Sequence, residues 1–412
     1  MGRNLWAEFL LFEVLHCLVF FPTRRRAYRA VILVAMIYLA AHIYLTTETT
    51  KPVELVCTMG QRISLHFGSV AYLMFTEGSF PDHWKRVRDE VHAKADTDGR
   101  NRLPSNFTLT KKLWWMVDLK HSVRMVGWVQ EPRDCLPPPP PPSRRTFLWK
   151  TFFKFIAYVV LLDLFKLMFV QNPVFDTRAH DPTDGPETYL AALPLLRRAP
   201  YVLGFGLWIA LSFKTVQSFW ALVCVGLAGS SPTLWPDMWG RWRDAYTLRK
   251  LWGRTWHQTM RPMLAGLGKL VANKILGFPR GTNLSSYTQL YIAFFLSGLF
   301  HFAGEFMYER RIVYRSFIFF PLQAVAITLE DFVIFISKRL LLQRGSKLDP
   351  GNPNGSWPEV IARVVGYLWV TLWFCWTLPI YIDEASLAGY YTTERGTISQ
   401  FLFGRWKLWA DV

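Results

Sequence analysis

The chain has 412 residues, 51% of them hydrophobic and 16% aromatic, with a formal net charge of +17. Apolar runs approaching the roughly 20 residues needed to cross a bilayer exclude an ordinary soluble domain. The excess of Lys and Arg would suggest nucleic acid in a soluble chain, but it gathers beside those runs, where it holds loops on the cytoplasmic side and attracts anionic headgroups.

Seven apolar runs predict membrane spans: residues 6–21, 28–45, 147–170, 202–229, 287–308, 316–337 and 360–382. Two weaker ones, 62–75 and 263–278, are short or interrupted by polar groups and are expected to lie along the interface or re-enter. The expected fold class is all-α, a polytopic membrane helical protein of about seven to nine transmembrane helices. The first run lacks a charged leader and a small-residue cleavage site, so it is read as a retained helix. Arg24, Arg25, Arg26 and Arg29 place the first loop inside, and alternation sends the acidic stretch of Asp176, Asp181, Asp184 and Glu187 outside. Arg310, Arg311 and Arg315 break this scheme, because they fall in a short loop that alternation sends outward. Either 263–278 crosses the membrane or one of the other runs does not.

Three blocks follow along the chain. Residues 1–76 read as amino-terminal transmembrane helices, and 77–146 as a basic cytoplasmic insertion ending in six prolines at 137–142. Such a run forms a stiff polyproline strut of roughly 19 Å. Residues 147–412 hold the remaining spans and the two histidines singled out below. Cys17, Cys57, Cys135, Cys224 and Cys375 are scattered, with no metal-ligand spacing or disulfide framework, and read as packing residues. No metal and no bound cofactor are expected.

Five tryptophans lie between Trp235 and Trp256, interleaved with Arg241, Arg243, Arg249, Lys250 and Arg254. On one continuous helix, Lys250, Arg254, His257 and Arg261 share a single face, with Trp252 pointing away. A membrane-surface helix with snorkelling cations explains the charges. A cationic face for a phosphate-bearing cosubstrate explains them equally well and also gives His257 a purpose.

His301 is the fifteenth residue of the run 287–308, about 20 Å along its helix. Ser297 and Glu305 stand one turn before and after it, so serine, histidine and carboxylate form one polar stripe beside Gly298 and Gly304. Intramembrane ionisable groups usually face a protein interior or a wet cavity. Helix packing is one use of such a stripe. General-base chemistry is the other, with Glu305 or a neighbouring helix fixing the imidazole tautomer.

Together these segments resemble the membrane-bound O-acyltransferase superfamily, and within it the wax-synthase-like branch. Leu248-Arg-Lys-Leu-Trp-Gly-Arg-Thr-Trp-His-Gln258 is similar to that branch's LREFWGRRWHQ signature, and Phe295-Leu-Ser-Gly-Leu-Phe-His301 to its SGLLH helix. Arg124, Gly127-Trp128, the prolines, Ser143-Arg144 and Phe147 resemble the stretch preceding the core, and Leu329-Glu-Asp-Phe332 and Gly366-Tyr-Leu-Trp-Val370 continue the likeness.

The resemblance implies transfer of an acyl group from acyl-CoA, acetyl-CoA above all, to a hydroxyl. His301 matches the family's catalytic histidine. His257 matches the second signature position, which is asparagine in the sterol and diacylglycerol acyltransferases. Arg254, Arg261 and Lys250 are expected to hold the CoA phosphates and Gln258 to assist His257, while Trp252, Ser297 and Glu305 complete the substrate-contacting set. Fungal members of the branch acetylate terpenoids and related secondary metabolites, and plant members make long-chain wax esters. The expected partners are a lipophilic alcohol, acyl-CoA, the bilayer and a second copy of the chain, without nucleic acid. The expected location is the endoplasmic reticulum membrane. Two other readings compete: a transporter using His301 and Glu305 as a proton relay, and acyl transfer to a protein. The absence of an internal repeat weighs against transport.

Overall fold

The computed structural model describes residues 4–48, 53–76, 78, 80–87, 103–122, 124–131, 138–140, 143–171, 190–343 and 357–387. Half of the proline run (Pro137, Pro141 and Pro142), Cys135 and the acidic stretch 176–187 lie outside them. Helix is the only extended regular structure among the described residues, and the isolated bridge between Arg86 and Trp128 is the one β pairing there. The chain divides into two compact units, residues 1–134 with 259–317, and residues 135–258 with 318–412.

The first unit holds α1 (Leu5–Leu18), α2 (Arg26–Thr46), α3 (Val53–Phe75), α4 (Leu109–His121), α8 (Arg261–Lys269, continued as a π-turn over Leu270–Ile275) and α9 (Asn283–Glu309). Side-chain caps set two of the starts. Asn4 accepts from the backbone N–H of Ala7, and Thr282 from that of Ser285. A shared core runs from Phe12, Met36, Val56 and Ile63 to Phe300 and Met307, so α9 lies against α3 within it.

α9 ends at Arg310, which takes the left-handed conformation at φ 57°. A non-glycine residue gives up about 1–2 kcal/mol there. Its guanidinium recovers this by donating to the Tyr44 and Thr47 carbonyls at the carboxyl end of α2, where a cation also meets the negative pole of the helix. Arg311 pairs with Glu309, and Arg315 with Glu305 and Glu309. The three arginines that disturbed the topology scheme are thus structural ligands of helix ends and carboxylates.

The second unit holds α5 (Arg144–Gln171), α6 (Ala199–Gly226), the one-turn α7 (Leu248–Lys250) running into a π-turn over Leu251–Thr255, α11 (Trp357–Thr377) and α12 (Pro379–Leu387). α10 (Arg315–Gln343) starts in the first unit and continues in the second. Asp383 accepts from the backbone N–H groups of Leu190 and Ala191, and Arg198 donates to the Cys375 carbonyl, which tie the segment before α6 to α11 and α12.

Five helices are long and apolar enough to cross a membrane: Arg26–Thr46, Leu195–Gly226, Asn283–Glu309, Arg315–Leu340 and Val360–Asp383. No more than 39% of the most apolar window of any of them is buried. The remaining apolar surface, such as Val31, Val34 and Tyr38 on α2, requires lipid to cover it. The other four runs are helical as expected but fall short of that test. α1 has only 14 residues, about 21 Å against a hydrocarbon core of about 30 Å. α5 is long enough at 28 residues, but Lys150, Lys154, Asp163 and Lys166 interrupt it. α3 carries Gln61, Arg62 and His66, and α8 with its π-turn carries Lys269 and Lys274.

Candidate functional site

The helix expected to align Lys250, Arg254, His257 and Arg261 on one face does not continue through them. α7 gives way to the π-turn, Trp256 is extended at ψ 149°, and α8 starts afresh at Arg261 with Pro262 behind it. Tertiary backbone pairing overrides the helical pattern. Gly240 N–H donates to the Thr255 carbonyl (3.0 Å), Gln258 N–H to the Met238 carbonyl (2.9 Å), and the Thr255 hydroxyl to the Arg241 carbonyl (3.2 Å). Any side chain at 240 would run into the Arg254 carbonyl, so the glycine permits this approach.

α6 grips the same segment from the side. Gln217 donates to the Pro236 carbonyl at 2.7 Å and accepts from Met238 N–H at 3.3 Å, and Lys214 pairs with Asp237 at 2.6 Å. Phe213 stacks on the His257 ring, with centroids 4.5 Å apart and 17° between planes. Trp239 meets both Trp256 (4.9 Å) and His257 (5.8 Å) edge-on. His257 is therefore half-buried in an aromatic box that fixes its plane.

The amino end of the segment is capped from outside. Thr247 accepts from Lys250 N–H, as a local cap. Glu330 on α10 accepts from Leu248 N–H at 2.7 Å and Arg249 N–H at 3.1 Å, and also from the Trp369 indole at 3.0 Å. Asp331 takes the Arg249 guanidinium. Gly366 lies against the Tyr246 carbonyl with no room for a side chain, and the Tyr367 hydroxyl donates to the Trp242 carbonyl (3.2 Å). The Leu329–Phe332 and Gly366–Val370 stretches of the sequence are thus supports for the Trp-Gly-Arg segment.

The remaining expected residues of the segment separate into inward and outward groups. Gln258 is buried, and its amide donates to the Trp256 carbonyl at 2.5 Å, which makes it a clamp on the turn. Trp252 packs on Trp256 (5.4 Å) and Phe374 (6.0 Å). The Lys250 ammonium lies over the Tyr246 ring, 3.9 Å from its centroid. Arg254 is exposed and Arg261 half-exposed, in reach of a ligand from solvent.

On α9 the polar stripe turns toward protein. Ser297 and Glu305 are buried, while Phe295, Leu299 and Phe306 are exposed on other sides. The Ser297 hydroxyl donates to the Ala293 carbonyl of its own helix (3.0 Å), a packing role. Glu305 accepts from the Ser316 hydroxyl at 2.5 Å and pairs with Arg315 at 3.2 Å. Its Oε2 has no hydrogen-bond partner among the described residues, so Glu305 is not what holds the His301 ring. The side chain on His301 Nδ1 is Gln61 of α3, its Nε2 3.4 Å away. His301 itself is half-buried as a residue.

Elsewhere in the first unit, Glu13, His16 and His66 bring ligand-type atoms within 4.8 Å of one another. Lys120 (2.7 Å) and Arg62 (3.1 Å) stand on Glu13, however, and already supply the positive charge that a divalent cation would bring.

Residues 235–322, which include His257 and His301, match the family model described as membrane bound O-acyl transferase family. The chain is similar to the acetyltransferase eriL of Hericium erinaceus, 31% identical over 318 residues, covering 75% of this chain and 77% of that protein. It is also similar to the acetyltransferase ple2 of Rhodocybe pseudopiperita, 30% identical with 73% of each chain covered. A third relative is the acetyltransferase aurG of Calcarisporium arbuscula, 30% identical with 78% of this chain and 76% of the relative covered.

Proposed function

Since the chain belongs to the membrane-bound O-acyltransferase family and is an acyltransferase, we propose that it transfers acetyl from acetyl-CoA to the hydroxyl of a lipophilic small molecule, a terpenoid or related secondary metabolite. The observation that carries the acetyl assignment is that three relatives matching at least 73% of this chain are each acetyltransferases by name. The position of His301, on a helix long and apolar enough to cross a bilayer, supports a lipophilic acceptor. The endoplasmic reticulum membrane is the proposed location.

In this reading Nε2 of His301 takes the proton of the acceptor alcohol as its oxygen attacks the thioester carbonyl. The new C–O bond forms, the C–S bond breaks, and the departing CoA thiolate recovers the proton from the imidazolium. The ester and free CoA leave, and no acyl-enzyme intervenes. His257, its plane set by Phe213 and Trp239, polarises the thioester carbonyl. Arg254, Arg261 and Lys250 hold the CoA phosphates, for which Arg and Lys are the usual partners. Gln258 and Trp252 keep the turn that presents His257 in shape.

The test uses membranes containing the full chain, supplied with acetyl-CoA or palmitoyl-CoA and a set of lipophilic alcohols. Ester should form from acetyl-CoA, and His301→Ala should abolish it at unchanged protein abundance. Activity retained by His301→Ala would remove His301 from the chemistry. A clear preference for palmitoyl-CoA would replace the acetyl assignment with wax-ester synthesis, and label found on polypeptide would replace the small-molecule acceptor.

A further inference from the structure

The crossing of α3 and α9 is unusually close, and it brings a side chain 240 positions upstream in sequence onto His301. Gly60 and Gly304 make the approach possible. A Cβ at Gly60 would stand 2.7 Å from the Ala303 carbonyl oxygen and 2.9 Å from the Gly304 Cα. One at Gly304 would meet the Cys57 carbonyl oxygen and lie 2.7 Å from Cγ of Gln61. Two hydroxyls fasten the crossing. Tyr44 bonds the carbonyls of both Gly60 (2.9 Å) and Ala303 (3.1 Å), and Ser64 those of Gln61 (2.8 Å) and Phe300 (3.3 Å). Gln61 is consequently held at its backbone by one bond and at its side chain by the floor that Gly304 provides.

We propose that Gln61 is the positioning residue for His301, whose amide holds the imidazole at Nδ1 and so decides which tautomer presents Nε2 to the acceptor alcohol. This rests on the reading of His301 as general base. A side-chain amide has two distinct ends, an NH2 that only donates and a carbonyl that only accepts. With the NH2 toward His301, Nδ1 accepts and the proton sits on Nε2, the form suited to donating. With the amide turned over, its carbonyl accepts from Nδ1–H, and Nε2 carries the free lone pair that a base needs. The working orientation for proton abstraction is the second. The carboxylate expected to do this from within α9, Glu305, is instead committed to Ser316 and Arg315.

Gln61→Met and Gln61→Glu separate positioning from packing. Both side chains approach glutamine in length, but only glutamate keeps an oxygen acceptor. In membranes holding the full chain, Gln61→Met should lower kcat by about 10–100-fold, less than the roughly 100–10,000-fold that a positioned acid–base group contributes, because the base itself is retained. KM for acetyl-CoA should stay within about twofold of the parent, since the amide is proposed to act on the base and not on the cosubstrate. Gln61→Glu should recover most of the lost kcat at equal abundance. An unchanged kcat in Gln61→Met, or equal losses in both variants, would overturn the assignment. If Gln61→Met proves too poorly folded to assay, Gln61→Glu against Gln61→Leu applies the same comparison, and equal losses again overturn it. His301→Ala is run in parallel. If it abolishes turnover while Gln61→Met is silent, only the role of Gln61 fails; if it retains turnover, the base assignment itself has failed.

Discussion

Replacing Glu330 by Ala asks how firmly the Trp-Gly-Arg segment depends on a carboxylate 82 residues away. Glu330 is buried on an apolar helix and accepts three hydrogen bonds there, from Leu248 N–H, Arg249 N–H and the Trp369 indole. Leu248 is fully buried, so its N–H would be left without water or partner at a cost of about 1–3 kcal/mol. The Trp369 indole is half-buried and regains part of its hydration, which leaves about 1 kcal/mol. Arg249 is exposed, and its N–H returns to solvent almost without cost. A negative charge at a helix start contributes a few tenths of a kcal/mol more, giving about 3 kcal/mol in total. In detergent this should lower the apparent unfolding midpoint by about 6–12 °C, taking about 2–4 °C per kcal/mol for a unit of this size. Acyl transfer should fall with it, because the turn carrying His257 loses its anchor. Asp331→Asn is the control, since its partner Arg249 is 46% exposed and such pairs contribute about 0–1 kcal/mol. Glu330→Ala with a midpoint within about 1 °C of the parent and undiminished activity would refute this account of the support.

Gly304→Ala should push α3 from α9 and reduce turnover, at about 1–3 kcal/mol of overpacking. Gly206→Ala on α6, where an added Cβ meets nothing within 4 Å, should instead stabilise by up to about 1 kcal/mol through helix propensity; thermal midpoints of the two variants decide. At Asp82, outside the spanning helices, burial would raise the carboxyl pKa, but bonds from Ser105 and the Arg24 guanidinium outweigh it and hold the pKa below its ordinary value. A carboxylate with a lowered folded pKa contributes stability that is complete above about pH 4 and lost as pH falls through the folded value. Amide exchange at Ser105, corrected for its intrinsic rate, should therefore accelerate on acidification from about pH 5 to about pH 3. The same measurement on Asp82→Asn should show no such step.

Several features were legible in the chain because they are local. The run 287–308 is both apolar and helical over its whole length, and the stripe of Ser297, His301 and Glu305 follows from a spacing of four on a helix, so its inward orientation could be foreseen. The density of tryptophan and arginine between 235 and 256 singled that segment out as a second centre of interest. Its conformation could not be read in the same way. A helical period in the cations predicted one continuous face, but Gly240 lets a neighbouring strand of backbone reach the Arg254 and Thr255 carbonyls, and that pairing breaks the helix. The signal available was the glycine in a tryptophan-rich stretch and the polar Gln217 within a largely apolar helix. Both acquire meaning only when their partner is known.

What the sequence by itself determined is the class of molecule, the helices and the polar stripe along α9, since hydropathy and short-range periodicity are properties of neighbouring residues. What the tertiary structure decided is which side chain serves which. Glu305, one turn from His301, is drawn to Arg315 and Ser316, whereas Gln61 reaches the imidazole across a crossing that two glycines make close. Glu330 reaches across from another helix to cap the motif. A hydrogen bond is settled by a distance of about 3 Å in space, and residues far apart in the chain meet that condition only after the helices have packed.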